Sequence, residues 1–160
     1  MSDSSSFPPP GLYRVIKTYD HNEGLSVVFR QFQASESHCR YIHGYALAFS
    51  FTFATQTLDG RGWCLDFGAL KPLRAWLHEN FDHTMLVALS DPELERITDL
   101  AANEMVQLRL LPEVGCEAFA AHAYQFAAEF VHRETSGRVW VEKVEVREHG
   151  GNAASFEPRR

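Results

Sequence analysis

The chain has 160 residues, 15 Lys and Arg against 21 Asp and Glu, a net charge of −6, and 45% hydrophobic and 22% charged residues. One domain usually takes roughly 100–200 residues, so this length is that of a single domain with a core of its own. The acidic balance argues against a general nucleic-acid binder, and three scattered cysteines (Cys39, Cys64 and Cys116) make no disulfide framework, which fits a reducing compartment.

Residues 1–11, MSDSSSFPPPG, are polar and proline-rich, which predicts a mobile arm and no secretory signal. No run of about 18 apolar residues offers a membrane span. The expectation is a cytoplasmic protein with neither membrane nor nucleic acid as partner, its single domain spanning residues 12–157. Leu25 to Phe32 reads as a strand. Tyr45 to Thr55 is clearer: Tyr45, Leu47, Phe49, Phe51 and Phe53 alternate with small residues, giving one thick apolar wall. Asp59-Gly60-Arg61-Gly62 predicts a turn, and Trp63 to Phe67 a returning partner strand. Leu70, Leu73 and Leu77 share one side of a helix over Gly68 to Asn80, with Pro72 early enough to be tolerated. Ser90 and Glu93 have the spacing of a capping box before Leu94, Ile97 and Leu100. Val106, Leu108 and Leu110 suggest a short strand. Glu117 to His132 carries a stripe of Phe119, Ala123, Phe126 and Phe130, and Val139 to Glu148 is a last strand with Val144 and Val146 on one face. Strands at both ends with helices between them predict an α+β fold, an antiparallel sheet with helices on one face.

The densest chemistry lies in Ser37-His38-Cys39-Arg40-Tyr41-Ile42-His43-Gly44-Tyr45, which runs into the aromatic strand. His38 and Arg40 flank Cys39, and cations beside a thiol favour the reactive thiolate. The same residues also suit a buried thiol and a hydrogen-bonded histidine. Asp82-His83 is either an acid/base pair or a helix-terminus pair satisfying backbone groups. Glu148 has the parity of Val144 and Val146, so it marks the strand's wet end or awaits a cationic or N–H-donating partner. His122 reads as a packing residue, and Trp63, Trp76 and Trp140 as core or interface mass.

Five segments, in order, resemble the 6-pyruvoyl tetrahydropterin synthase / 6-carboxytetrahydropterin synthase family. They are Cys39-x3-His43-Gly44-Tyr45, Asp66-Phe67-x2-Leu70-Lys71, Phe81-Asp82-His83, Cys116-Glu117, and Val144-x-Val146-Arg147-Glu148. The resemblance implies a T-fold, an antiparallel sheet with helices on its concave face, assembled into a homo-oligomeric ring such as a hexamer, with active sites between subunits. It implies a proton-abstracting Cys39, an acid/base pair of Asp82 and His83, and a pterin ring gripped by Glu148 through charge-assisted hydrogen bonds, with Glu117 of the helix opener on the substrate side. It also implies zinc, of whose histidines His43 is retained and His38 is the nearest substitute for another.

The chain departs from that family at the metal. Tyr45 stands where the second histidine of the His-Gly-His pair belongs, and Phe32 to Glu36 lacks the upstream one. Cys116 replaces the threonine that opens the last helix, and residues 91–111 lengthen the middle. The implied activity is a pterin-site lyase acting on dihydroneopterin triphosphate or a close relative. The alternative is a paralogue that binds a pterin or purine-like ring without zinc chemistry. Lys17, Arg30 and Arg40 are candidates for holding a triphosphate.

Overall fold

The structure, a computed structural model, describes residues 11–159; the expected arm, apart from Gly11, lies outside the described residues. Seven strands and three helices are present among them.

The long strand β3 (His43–Thr55) organises the rest. Its large residues Leu47, Phe49, Phe51 and Phe53 are all fully buried, as the alternation predicts. Each such side chain contributes roughly 1.5–3 kcal/mol by leaving water. β1 (Tyr13–Tyr19) and β2 (Leu25–Phe29) run end to end along one edge of β3, with Tyr19 opposite Phe49 and Leu25 opposite Leu47. Between them Asp20–Gly24 makes a tight turn, which Gly24 closes in the left-handed region at φ +77°. β6 (Trp140–His149) takes the other edge, placing Val144 and Val146 against Phe51 and Phe49, and β7 (Asn152–Phe156) pairs with β6.

Two helices cover the aromatic face. α1 (Lys71–Phe81) buries Leu73, Leu77 and Phe81, and α3 (Cys116–Glu134) buries Phe119, Ala120, Ala123, Ala127 and Phe130. They meet where Trp76 stacks on Phe126, with ring centroids 4.6 Å apart. His122 sits beside Trp76 in this seam, and burial lowers its pKa, which suits the expected packing role.

Three expectations need correction. Trp63 to Phe67 forms no strand, because both edges of β3 near Thr55 are already taken by β1 and β6; the segment leads instead into a 3-10 turn at Phe67–Leu70. Cys64 is therefore buried in a loop, and Trp63 is half-exposed under the Arg61 guanidinium. The capping box of Ser90 and Glu93 does not form: buried Asp91 accepts from the Glu93 N–H, while the Glu93 carboxylate pairs with Arg96. The sheet is not antiparallel throughout. β4 (Thr84–Ala88) lies parallel to β2, and β5 (Gln107–Leu111) parallel to β4, so residues 84–111 extend an antiparallel sheet with parallel strands. Leu86 and Ala88 face the main core, whereas Met85 and Val87 face the other way, onto Leu94 and Ile97 of α2 (Leu94–Ala102). Thus α2 covers the face opposite α1 and α3.

Candidate active site

Strand register, and not sequence proximity, assembles the first cluster. Cys39 lies in a single 3-10 turn, His38–Arg40, started by the Ser37 hydroxyl, which accepts from the Cys39 N–H at 3.1 Å. The Gln31 N–H donates to the Cys39 carbonyl at 2.8 Å, tying this turn to the end of β2. His43 begins β3 opposite Phe29, their rings 4.9 Å apart, and its Nδ1 lies 2.7 Å from the Tyr41 carbonyl. A carbonyl only accepts, so Nδ1 carries the proton and Nε2 keeps its lone pair. Gly44 is required by space: a Cβ there would lie 2.5 Å from the Val27 carbonyl oxygen and 2.9 Å from Val28 Cγ1.

Tyr45 then faces the helices, its ring 5.5 Å from His43 and 6.1 Å from His149. Its phenol pKa is raised, chiefly by burial and then by the charge of Glu148. Cys116, the first residue of α3, is buried near Glu148. Burial first, and the Glu148 charge second, push its thiol up to about 12, so it stays neutral. Glu148 is half-buried at the end of β6. Glu117 is exposed on the next position of α3.

The expected flank of Cys39 is otherwise engaged. Arg40 donates to the Ser35 carbonyl and the Tyr41 hydroxyl, and the His38 ring packs edge-on against Tyr41. Of the cations considered for a triphosphate, Arg30 is committed to a two-pronged pair with buried Asp91, and Lys17 lies over the Tyr19 ring.

A second cluster sits at the junction of α1 and β4. His83 Nδ1 lies 2.5 Å from Asp82 Oδ1, so the predicted pair is formed. His78 Nδ1 approaches Asp82 Oδ2 at 3.1 Å and its Nε2 approaches Glu23 Oε1 at 2.9 Å, while Arg74 also pairs with Glu23. Partial burial opposes ionisation of Asp82, but the hydrogen bonds from His78 and His83 outweigh it and hold the carboxyl below its ordinary range. Glu23 is likewise lowered, by the His78 hydrogen bond first, and His78 is raised, by Glu23 and then Asp82. Neither Glu23 nor His78 stands out in the sequence; only the four-residue spacing of His78 and Asp82 hints at the contact.

The two clusters do not touch within one chain. Val27 is opposite both Tyr45 and Thr84, so His83 lies level with Ser26, three residues back along β2 from Phe29, the partner of His43. No hydrogen bond, ion pair or ring contact joins a member of one cluster to a member of the other among the described residues.

Residues 15–159 match the family model described as 6-pyruvoyl tetrahydropterin synthase. The chain belongs to the 6-pyruvoyl tetrahydropterin synthase family. Curated relatives include the 6-carboxy-5,6,7,8-tetrahydropterin synthase of Rickettsia bellii, 35% identical over 60 residues, which are 37% of this chain and 44% of that protein. The Rickettsia typhi protein of the same name is 29% identical over 76 residues, 46% of this chain and 55% of its own length. The matched stretches thus span about half the length of these relatives. Among solved structures, an uncharacterised protein of Wolinella succinogenes superposes with a TM-score of 0.74 at 18% identity, covering 92% of this chain and 99% of the other. The Plasmodium vivax 6-pyruvoyl tetrahydropterin synthase gives 0.68 at 13% identity, covering 94% and 99%. At these identities the structures share the T-fold.

Zinc, which the family resemblance implies, does not fit the donors of one chain. Among the described residues no three His, Cys, Asp or Glu side chains come close enough to share a metal ion. His43 offers Nε2, but the adjoining position is the Tyr45 phenol with its raised pKa, and the His38 ring is turned to Tyr41. A structural or catalytic zinc ordinarily takes at least three protein ligands. No helix among the described residues is long and apolar enough to cross a membrane.

Proposed function

We propose that this chain is a pterin-site lyase of the tetrahydropterin synthase type, acting on dihydroneopterin triphosphate or a close relative. The observation that carries this reading is that four separate elements bring Cys39, Tyr45, Cys116 and Glu148 to one end of the sheet, at the positions of the family's pterin anchor and thiol base. Gln31 bonds both the Cys39 carbonyl and the Val114 carbonyl just before α3, and the Tyr45 ring lies 6.1 Å from that of His149, next to Glu148. Glu148 would take hydrogen bonds from the pterin ring N–H and amino group. Glu117 would lie at the mouth of that pocket. Cys39, as thiolate, would remove a proton from the side-chain carbon next to the one bearing the phosphate ester. The electron pair left behind forms the new double bond as the C–O bond breaks and triphosphate departs. His83, oriented by Asp82, would exchange the second proton at Nε2.

Because the two clusters are apart in one chain, the working site is read as lying between copies of this chain in a ring, Cys39 from one subunit and Asp82-His83 from its neighbour. Incubation with dihydroneopterin triphosphate, followed by phosphorus NMR, should show triphosphate released by the unaltered protein and not by Cys39→Ala. The absence of both turnover and pterin binding by calorimetry would overturn the proposal. The second reading, a paralogue that binds the ring without zinc chemistry, is favoured by the donor set around His43. It predicts pterin binding without turnover, and no stoichiometric metal by elemental analysis of the purified protein.

A further inference from the structure

The second cluster holds two groups that the lyase reading leaves unused, Glu23 and His78. The His78 ring lies between two carboxylates, 2.9 Å from Glu23 and 3.1 Å from Asp82. Ionised carboxylates only accept, so both ring nitrogens donate and His78 is an imidazolium. Around it stand Arg74 on Glu23, His83 on the other oxygen of Asp82, and the buried phenol of Tyr19, whose pKa is pushed up to about 12 by burial and then by the Glu23 charge. Each oxygen of Asp82 therefore has one imidazole, His78 on Oδ2 and His83 on Oδ1.

The two imidazoles differ in what they can do. His78 has both nitrogens occupied and is two-thirds buried. His83 has its side chain 79% exposed, and with Nδ1 given to Asp82 it keeps Nε2 open. Its backbone adopts φ +54°, a left-handed conformation that costs a non-glycine residue about 1–3 kcal/mol and persists only where its surroundings impose it. A strained residue that presents one open nitrogen, backed by a carboxylate that is itself held from behind, has the form of a built proton-transfer group.

We propose that His78 is a positioning residue: clamped by Glu23, it holds the Asp82 carboxylate in the one orientation that keeps His83 protonated on Nδ1 and leaves Nε2 for the substrate. The clamp rests on the lyase reading for its use, though not for its existence. A merely structural ion cluster would stabilise the α1–β4 junction and leave the His83 ring indifferent to the identity of residue 78.

Nitrogen-15 NMR of the histidine rings tests this on the full-length protein, with His83 assigned by its loss in His83→Gln. The neutral His83 ring in the unaltered protein should be the Nδ1–H tautomer alone. In both His78→Gln and Glu23→Gln it should become a mixture with the Nε2–H form, and kcat should fall about 10- to 100-fold with KM little changed, as misplacement of a reacting group does. A His83 tautomer unchanged in both variants overturns the proposal, as does an Nε2–H form in the unaltered protein. The tautomer is read without substrate. A tautomer change in variants of a protein that shows no turnover would therefore count against the lyase reading and support the clamp.

Discussion

The two clusters are built in opposite ways. The first gathers Cys39, His43, Tyr45, Cys116 and Glu148 from the His38–Arg40 turn and the ends of β3, β6 and α3. Strand register and the bulk of Phe29 and Phe119 hold it in place. The second is compact and heavily bonded, a line of alternating charge running from Arg74 through Glu23 and His78 to Asp82, with the His83 ring on the far oxygen of Asp82. On the proposed function, the contrast separates a ligand-binding group, whose polar atoms must be left available, from a proton-transfer group, whose orientation must be fixed beforehand.

The largest effect expected from breaking either cluster is chemical. Cys39→Ala should lower turnover roughly 100- to 10,000-fold, the range for losing an acid/base group, and leave pterin affinity nearly intact. Next comes the anchor: Glu148→Gln should weaken pterin binding by about 1.5–3 kcal/mol, the worth of a hydrogen bond to a charged group, measured by calorimetry. Gly44→Ala forces a methyl group against the Val27 carbonyl, and overpacking of this kind costs about 1–3 kcal/mol by denaturant unfolding. It should disturb pterin binding more than the Asp82–His83 contact, because His43 and Tyr45 flank Gly44 directly and His83 is reached only through the pairing of Val27 with Thr84.

A gentler test is pH. Glu23 and Asp82 are lowered in the fold, so their stabilising contribution is present above the ordinary carboxylate range and is lost as pH falls through their folded values. His78 is raised, so its contribution is complete below 6.5 and is lost as pH rises through its folded value. The second cluster therefore stabilises most between the ordinary carboxylate and histidine values. His78→Gln should flatten the pH dependence of the melting temperature on the alkaline side of that window. The smallest effect is on thiol labelling. Cys116 and Cys64 are buried and their thiols pushed up, so iodoacetamide near neutral pH should mark half-buried Cys39 alone. Labelling of all three in the native protein would show that the first cluster is looser than described.

Periodicity made β3 and α3 legible in the sequence, because their apolar repeats run uninterrupted at 2 and 3.6 residues. β4 was not, since all five residues from Thr84 to Ala88 are buried, on two faces, and leave no alternation to read. In β1 the pattern is scrambled by exposed Ile16 and by Lys17 on the same side as Tyr19. Local motifs disclosed Cys39, His43, Glu148 and Asp82-His83. The approach of Cys116 to Glu148 and the hydrogen bond of Glu23 to His78 arise from packing of distant elements, which no spacing along the chain encodes.

The reading of these clusters as two halves of one site is tested most directly by mixing two inactive variants, Cys39→Ala and His83→Ala, under conditions that exchange subunits. Turnover of dihydroneopterin triphosphate should reappear in the mixed assemblies, because some interfaces then pair an intact Cys39 with an intact His83. Mixed assemblies confirmed by native mass spectrometry that stay as inactive as either variant, while the unaltered protein turns over, would contradict it.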